Sequence, residues 1–411
     1  MKNLMLITHR RLDAEQSGSK TYLRRMLKLA KEAGLDVTIV CLPVASFSSR
    51  PWGTISPQFS DLAEINWPGT FKIGETYCSP SPRVWGRFGW RVMQEAMMRF
   101  KLGPQSWRQP KSNLGTVPPK SELARIRKII DEIQPDSVMV EYSSLGPLLH
   151  GLPENMGKSL LVHDSFAARH ALFLSRNEPS DYPNPPSLAE EADRMSGADA
   201  IFHAGVGELE QFAELLRASK HIWFRPTAPL HRDKVRTREV AELVYIGANQ
   251  QGSRDAIAHF LSDVWPKIIA ARPETVLNIV GPVGSTIASD LVTEGVKILG
   301  RVEHLTDFAG PDMIGLVPTR LASGISIKVG EYLGMGVPTI AYEAGIDGYG
   351  KALDGVVATA ATPEDFARQT LSILEDADVR KTRSEAGLKL AETELQNPEV
   401  INALVQLSTA R

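Results

Sequence analysis

Cysteine is scarce in this chain. Cys41 and Cys78 are the two in 411 residues, too few for a disulfide framework, and Cys41 lies in an apolar, strand-like run where it reads as a small core residue. A reducing cytoplasmic location is expected. Charge of one sign is also missing. Forty-six basic residues meet 48 acidic ones, a net charge of −2, so no global field draws nucleic acid, and base-reading motifs are absent. No run approaches the ~20 apolar residues of a membrane span. The opening "MKNLMLITHR" is too short an apolar run for a signal peptide and reads as a buried strand. No Cys/His cluster has zinc spacing, so no metal is expected. "GVGEL", starting at Gly205, lacks the third glycine of a dinucleotide fingerprint, which speaks against a nicotinamide cofactor.

What remains is an ordinary soluble composition, 43% hydrophobic and 23% charged, on a chain too long for one core. "NLMLIT" reads as a strand. "KTYLRRMLKLAKEAG" follows with apolar Tyr22, Leu23, Met26, Leu27, Leu29 and Ala30 at helical spacing. Gly34 ends that helix and "DVTIVCLP" is the next strand, completing a parallel, right-handed unit. "SELARIRKIIDEIQ" reads as a helix, "PDSVMVEY" and "KSLLVHDS" as strands. The pattern restarts near residue 241 with "ELVYIGA", a helix over "SRDAIAHFLSDVWPKIIAAR", the strands "TVLNIVGP", "VKILGRV" and "MIGLVPT", a helix, and "VPTIAY". The polar, proline-bearing "RPTAPLHRDKVRTRE" separates the halves. The expected organisation is a first domain over 1–228, a linker over 229–240, a second domain over 241–385, and terminal helices over 386–411 that cross back to the first domain. Open α/β sheets bind ligands beyond the carboxyl ends of their strands, so a cleft between the domains is the expected site.

One stretch is odd as a helix. "LASGISIKVGEYLGMGVPTIAYEAG" carries Lys328 and Glu331 beside glycines at 324, 330, 334 and 336, each costing up to ~1 kcal/mol against alanine inside a helix. The segment resembles the donor-binding signature of the GT-B glycosyltransferases, specifically the retaining family 4 type: a glycine-rich turn, then K-x-x-E-x-x-x-x-G-x-P. "LVYIGA" and "AIAHFLSDVWPKI" are similar to that family's first strand and helix of the second domain. Ser17-Gly18 stands where the family places a Gly-Gly pair, sixteen residues ahead of Gly34. The resemblance implies an α/β, GT-B architecture of two Rossmann-like, doubly wound domains facing across a cleft.

It also implies a chemistry. A nucleotide sugar carries a diphosphate, and a helix start offers free N–H groups and partial positive charge. Gly324, Ile325, Ser326 and Ile327 would supply backbone N–H groups, Ser326 a hydroxyl and Lys328 a cation. Glu331, on the same helical face, would hold the ribose hydroxyls. The competing reading of Lys328 and Glu331 is a surface pair worth ~0.2–0.5 kcal/mol. Arg254 falls near a position where the family has a basic residue facing the diphosphate, while Ala248 stands at the other. The family's first glutamate would fall at 323, where this chain has Ser323. No protein-bound cofactor is implied; the donor, a UDP- or GDP-sugar, is a co-substrate.

In the first half, His163 ends a strand and is expected near the transferred sugar, with Asp164 capping the next helix. His9, Glu141 and Tyr142 are expected acceptor contacts. Residues 83 to 111 hold seven basic residues and one acidic one, with Trp85, Phe88, Val92, Ala96 and Phe100 at helical spacing and Arg87, Arg91 and Glu95 on another face. This pattern suits an anionic membrane surface, against the plainer reading of a helix packed on its own domain with a solvated face. The expected function is a metal-independent, retaining transferase acting on a saccharide or lipid-linked acceptor in surface polysaccharide or glycoconjugate assembly. The alternatives are a nucleotide-sugar 2-epimerase on the same fold and an inactive nucleotide-sugar binding protein.

Overall fold

The computed structural model describes residues 2–14, 18–42, 50–100, 115–175, 185–226, 229–320 and 324–409. The chain divides into two compact units. One comprises Met1–His203, Gln211–Ile222 and Pro398–Arg411, the other Ala204–Glu210 and Trp223–Asn397. The strands in chain order are β1 (Lys2–Thr8), β2 (Leu35–Cys41), β3 (Trp52–Thr54), β4 (Glu64–Asn66), β5 (Phe71–Ile73), β6 (Thr76–Cys78), β7 (Ser137–Glu141), β8 (Gly157–Val162), β9 (Ala200–His203), β10 (Lys220–Trp223), β11 (Glu242–Ile246), β12 (Leu277–Val280), β13 (Val296–Gly300), β14 (Met313–Val317), β15 (Thr339–Tyr342) and β16 (Ala358–Ala360).

The first unit is built on a seven-stranded sheet of order β10-β9-β8-β7-β1-β2-β4. β1 pairs in parallel with both β2 and β7, and so sits where the winding reverses. It is buried from Leu4 onward, as a central strand covered on both faces must be. The helix Gly18–Glu32 buries Tyr22, Leu23, Met26, Leu27, Leu29 and Ala30, the apolar set its spacing selects. Gly34 follows at φ 75°, the left-handed turn that stops a helix. The helix Pro398–Thr409 completes this unit, with Ser408 hydrogen-bonded to Ser137 at 3.1 Å.

The same unit carries an antiparallel sheet of order β3-β6-β5 and the helix Pro82–Arg99. Of this helix's 18 residues, Val84 alone is buried. Its anchors are Trp85, whose indole N–H donates to the Ser79 carbonyl at 2.9 Å, and an aromatic cluster of Trp52, Trp85 and Phe88.

The second unit has a six-stranded sheet of order β13-β12-β11-β14-β15-β16, parallel throughout. The expected helix over 253–272 is interrupted. Gln251–His259 passes through a π-turn, Phe260–Val264, into Trp265–Ala271. Pro266 cannot donate to the preceding turn, and the wider turn accommodates that loss. The segment 229–240 belongs to this unit: the His231 N–H donates to the Gly334 carbonyl at 2.9 Å and the Arg238 N–H to Asp312 at 2.8 Å. Among the described residues no helix is long and apolar enough to cross a membrane.

Candidate functional site

At the carboxyl ends of β1, β7 and β8 the first unit gathers a buried polar cluster. β7 delivers Glu141, fully buried. Its carboxylate accepts from Arg10 Nε at 2.6 Å, from His163 Nε2 at 2.7 Å and from the Thr8 hydroxyl. Burial opposes ionisation of Glu141, but the Arg10 charge and the His163 hydrogen bond outweigh it and hold the carboxyl below the usual range. Burial drives His163 the other way, below the usual imidazole value, against the raising effect of Glu141. A neutral His163 facing an ionised carboxylate must carry its proton on Nε2, which leaves Nδ1 as an acceptor. His9 is also neutral, pushed down to about 4 mainly by burial, and its buried Nε2 has no hydrogen-bond partner among the described residues.

Tyr142 organises the cluster. It stacks on His9 and Phe166, lies 4.7 Å from the His163 ring, and carries the Arg10 guanidinium over its face at 4.9 Å. Arg10 also donates to its hydroxyl. Tyr142 has φ 68° and ψ 152°, a conformation costing on the order of 1–3 kcal/mol for a non-glycine residue. Rings on several sides and the bond from its N–H to the Leu161 carbonyl, 2.9 Å, hold it there. His9, Glu141, Tyr142 and His163 are thus one constellation, and Arg10 is the member that sequence reasoning missed. The strand–loop "THR" carried the signal, since an arginine just after a buried strand needs a partner.

The cap of the helix Phe166–Ser175 differs from the expected one. Ser165 and the buried Glu191 supply it: Glu191 accepts from the N–H groups of Phe166 at 3.1 Å and Ala167 at 2.9 Å, and Ser165 Oγ from Ala168 at 3.1 Å. Asp164 pairs with Arg169 at 3.5 Å.

In the second unit the segment after β14 turns at Gly324, φ 68°, into the helix Ile327–Gly334. Lys328 extends over the Tyr245 ring, 4.4 Å from its centroid, and reaches the Tyr245 hydroxyl at 3.4 Å. Burial of the ammonium lowers its pKa to about 8, with the Glu331 charge opposing. The ammonium has three donors, and the tyrosine oxygen is a weak partner for one of them. Glu331 is half-buried on the same face. Ile325 packs on the core beneath, and the Ser326 carbonyl accepts from the Tyr349 hydroxyl at 2.8 Å. The Gly324 N–H, expected to be open to a ligand, donates to the Glu208 carboxylate at 2.6 Å.

Gly330 has a packing reason. A Cβ there would lie 2.5 Å from the Pro226 carbonyl oxygen, and its N–H donates to the Tyr349 hydroxyl at 3.2 Å. Arg254 is exposed and donates to Asn249 at 2.8 Å. A second arginine missed by the sequence reading, Arg320, follows β14 and pairs with Asp255 at 2.7 Å. The chain's single Asp-x-Asp, Asp376 and Asp378, is a helix cap: Asp376 accepts from the Asp378 and Val379 N–H groups at 2.9 and 3.0 Å. Gly18 is exposed at the start of its helix. Ser17, Ser323 and residues 101–111 of the basic segment lie outside the described residues.

Residues 241–376 match the family described as glycosyl transferases group 1. Among curated proteins none matches the chain in sequence. Solved structures share the fold over nearly the whole length. Sucrose-phosphate synthase from Thermosynechococcus elongatus is 14% identical with a TM-score of 0.63, covering 98% of this chain and 96% of that one. A variant of S. aureus TarM, in complex with fondaparinux, alpha-GlcNAc-glycerol and UDP, is 8% identical with a TM-score of 0.63, covering 99% and 100%. Anabaena HepE, in complex with UDP and glucose, is 10% identical with a TM-score of 0.60, covering 99% and 98%. The chain therefore has the GT-B fold, two Rossmann-like halves, and the segment that matches glycosyl transferases group 1 lies in the second.

Proposed function

We propose that the protein is a retaining glycosyltransferase, independent of metal, that moves a sugar from a UDP- or GDP-sugar to a saccharide or lipid-linked acceptor. The observation that carries this reading is Lys328: a half-buried lysine whose ammonium has, among the described residues, one weak hydrogen-bond partner, on a helix that opens with a glycine turn after β14, inside the segment matching glycosyl transferases group 1. Lys328 and the N–H groups of Gly324 to Ile327 bind the diphosphate, and Glu331 binds the ribose. Positive charge held in a shielded place stabilises the leaving diphosphate as its charge develops. Arg254 adds a solvent-exposed cation. His163 Nδ1 accepts from a sugar hydroxyl, and His9 Nε2 and Tyr142 contact the acceptor, while Glu141 and Arg10 fix the orientation of His163 and Tyr142.

The helix Pro82–Arg99 is the proposed seat of a peripheral membrane contact. Trp85, Trp90, Val92, Met93 and Phe100 are exposed beside Arg83, Arg87, Arg91 and Arg99, and Phe71 and Ile73 of β5, in the same unit, are exposed as well. Flotation with anionic vesicles, lost in a double Arg87→Glu, Arg91→Glu variant, is the expected result; no binding by the wild type would end this part of the proposal. The site test is a thermal-shift screen with UDP, GDP, ADP, TDP and CMP on wild type and Glu331→Ala. One nucleoside diphosphate should stabilise the wild type only, by ~2.7 kcal/mol at a hundred times its dissociation constant.

The Glu141–His163 pair favours a second reading, since same-face transfer needs little protein acid–base chemistry and a carboxylate–imidazole pair is suited to moving protons. A 2-epimerase would use it on the donor itself. Proton NMR of the sugar product separates the two: isomerised sugar formed without any acceptor supports the epimerase.

A further inference from the structure

The carboxylate of Glu208 lies where the proposed function puts an anion. Glu208 sits on the helix Val206–Leu215, and its Oε1 accepts from the Gly324 N–H at 2.6 Å. Both residues belong to the second compact unit. The contact joins positions 116 residues apart in sequence, so no local turn geometry creates it. A glycine amide in a left-handed turn before a helix is the type of donor that phosphate oxygens seek, and here a side-chain carboxylate already uses it. The segments around it are tightly interleaved: a Cβ on Gly348 would lie 2.1 Å from the Gly324 carbonyl oxygen, and one on Gly205 2.0 Å from Glu208 itself. The turn is therefore held from both sides with the carboxylate in place.

We infer that Glu208 is an affinity-determining residue of the donor site. Its carboxylate stands in for phosphate on the Gly324 amide and has to be displaced when a nucleoside diphosphate binds. This rests on the donor-site reading above. A carboxylate and a diphosphate cannot share one N–H, and two anions at that distance repel. The contact therefore costs donor affinity while it keeps the turn formed in the empty protein. A carboxylate that instead served as a donor ligand would have the opposite sign when removed.

Calorimetric titration of UDP and of GDP into wild type, Glu208→Gln, Glu208→Ala and Glu331→Ala tests this, with a melting curve of each protein alone. Glu208→Gln keeps the size and an acceptor oxygen but removes the charge; Glu208→Ala removes the contact altogether. Both should bind the preferred nucleotide more tightly, roughly tenfold for the glutamine, the factor that corresponds to about 1.4 kcal/mol. Equal or weaker binding in a folded Glu208 variant, with wild-type binding intact and lost in Glu331→Ala, overturns the inference and leaves the donor site standing. No binding by wild type or by either Glu208 variant overturns the donor-site reading and this inference with it. Binding by the Glu208 variants alone supports both.

Discussion

The two units each collect polar side chains at the carboxyl end of a parallel sheet, yet they treat charge in opposite ways. In the first, Glu141 is fully buried and meets Arg10, His163 and Thr8 at bonding distance. Its cation and anion cancel, and both histidines are neutral. In the second, Lys328 has an aromatic face and a hydroxyl at 3.4 Å in place of a carboxylate bond, and the nearby glycine amide is taken by Glu208. A cancelled cluster is preorganised for neutral, hydroxyl-bearing ligands. A buried cation without a bonded anion is prepared to receive one. That contrast is the ground on which we propose sugar hydroxyls as ligands of the first unit and phosphate as the ligand of the second.

The largest expected effects test the second unit. Lys328→Met should remove about 10²–10³-fold in kcat/KM, the range for deleting one preorganised charge-stabilising donor, in a donor-turnover assay. It should also raise the melting temperature of the empty protein by about 2–4 °C, because a buried ammonium is removed. Loss of stability together with activity would show that Lys328 is structural. In the first unit, Arg10→Met should destabilise by roughly 3–5 kcal/mol, since it strands a buried carboxylate. The double variant with Glu141→Gln should recover much of that. The sign with pH follows from Glu141 being held below its ordinary value: its contribution is present above pH ~4.5 and fades as pH falls. Acid titration of the wild type should show that loss, and Arg10→Met should show less of it.

β1, β2, β7, β8 and β11 to β15, their parallel sense and the apolar faces were legible in the sequence because each is a periodic, local pattern, whereas the short β4, β9, β10 and β16 and the antiparallel β3-β6-β5 sheet were not; the helix Gly18–Glu32 buries the six apolar residues its spacing selects. Lys328 and Glu331 were legible because they belong to one contiguous segment. Arg10, Arg320 and Glu208 were not, because each acquires its meaning from a partner 65 to 131 residues away, and one sequence carries no record of such pairings. Gly330 was anomalous in the sequence for the same reason; the Pro226 carbonyl that excludes a side chain comes from a distant segment. Gly330→Ala should accordingly cost about 1–3 kcal/mol by overpacking, despite the better helix propensity of alanine. A neutral or stabilising result in thermal unfolding would contradict the close approach.

A smaller effect sharpens the charge contrast through pH. Lys328 titrates near 8 in the empty protein, against an ordinary value near 10.5. Between those values the unfolded chain holds more protons, so the empty protein should gain stability as pH rises. A bound diphosphate favours the ammonium and reverses that preference. Donor affinity should therefore fall above pH 8, by up to one decade per pH unit, with proton uptake on binding. Calorimetry at pH 9 in buffers of different ionisation enthalpy reads that uptake directly, and Lys328→Met should abolish it.

The smallest effect belongs to Arg254. It is exposed, it is steadied by Asn249 at 2.8 Å, and it sits in the first turn of the helix Gln251–His259. A solvated guanidinium contributes on the order of 0–1 kcal/mol to a pairing with an anion, so Arg254→Ala should weaken donor binding by less than about fivefold. The effect should shrink further as salt is raised from ~0.05 to ~0.5 M, because exposed charges are screened over a few ångströms at high ionic strength. The loss in Lys328→Met should persist at both, since its ammonium is shielded from solvent by the Tyr245 ring. If Arg254→Ala instead matched Lys328→Met in size and in salt resistance, the arginine would have to enter a dry contact with the diphosphate, and the division between a buried and a solvated cation would be lost.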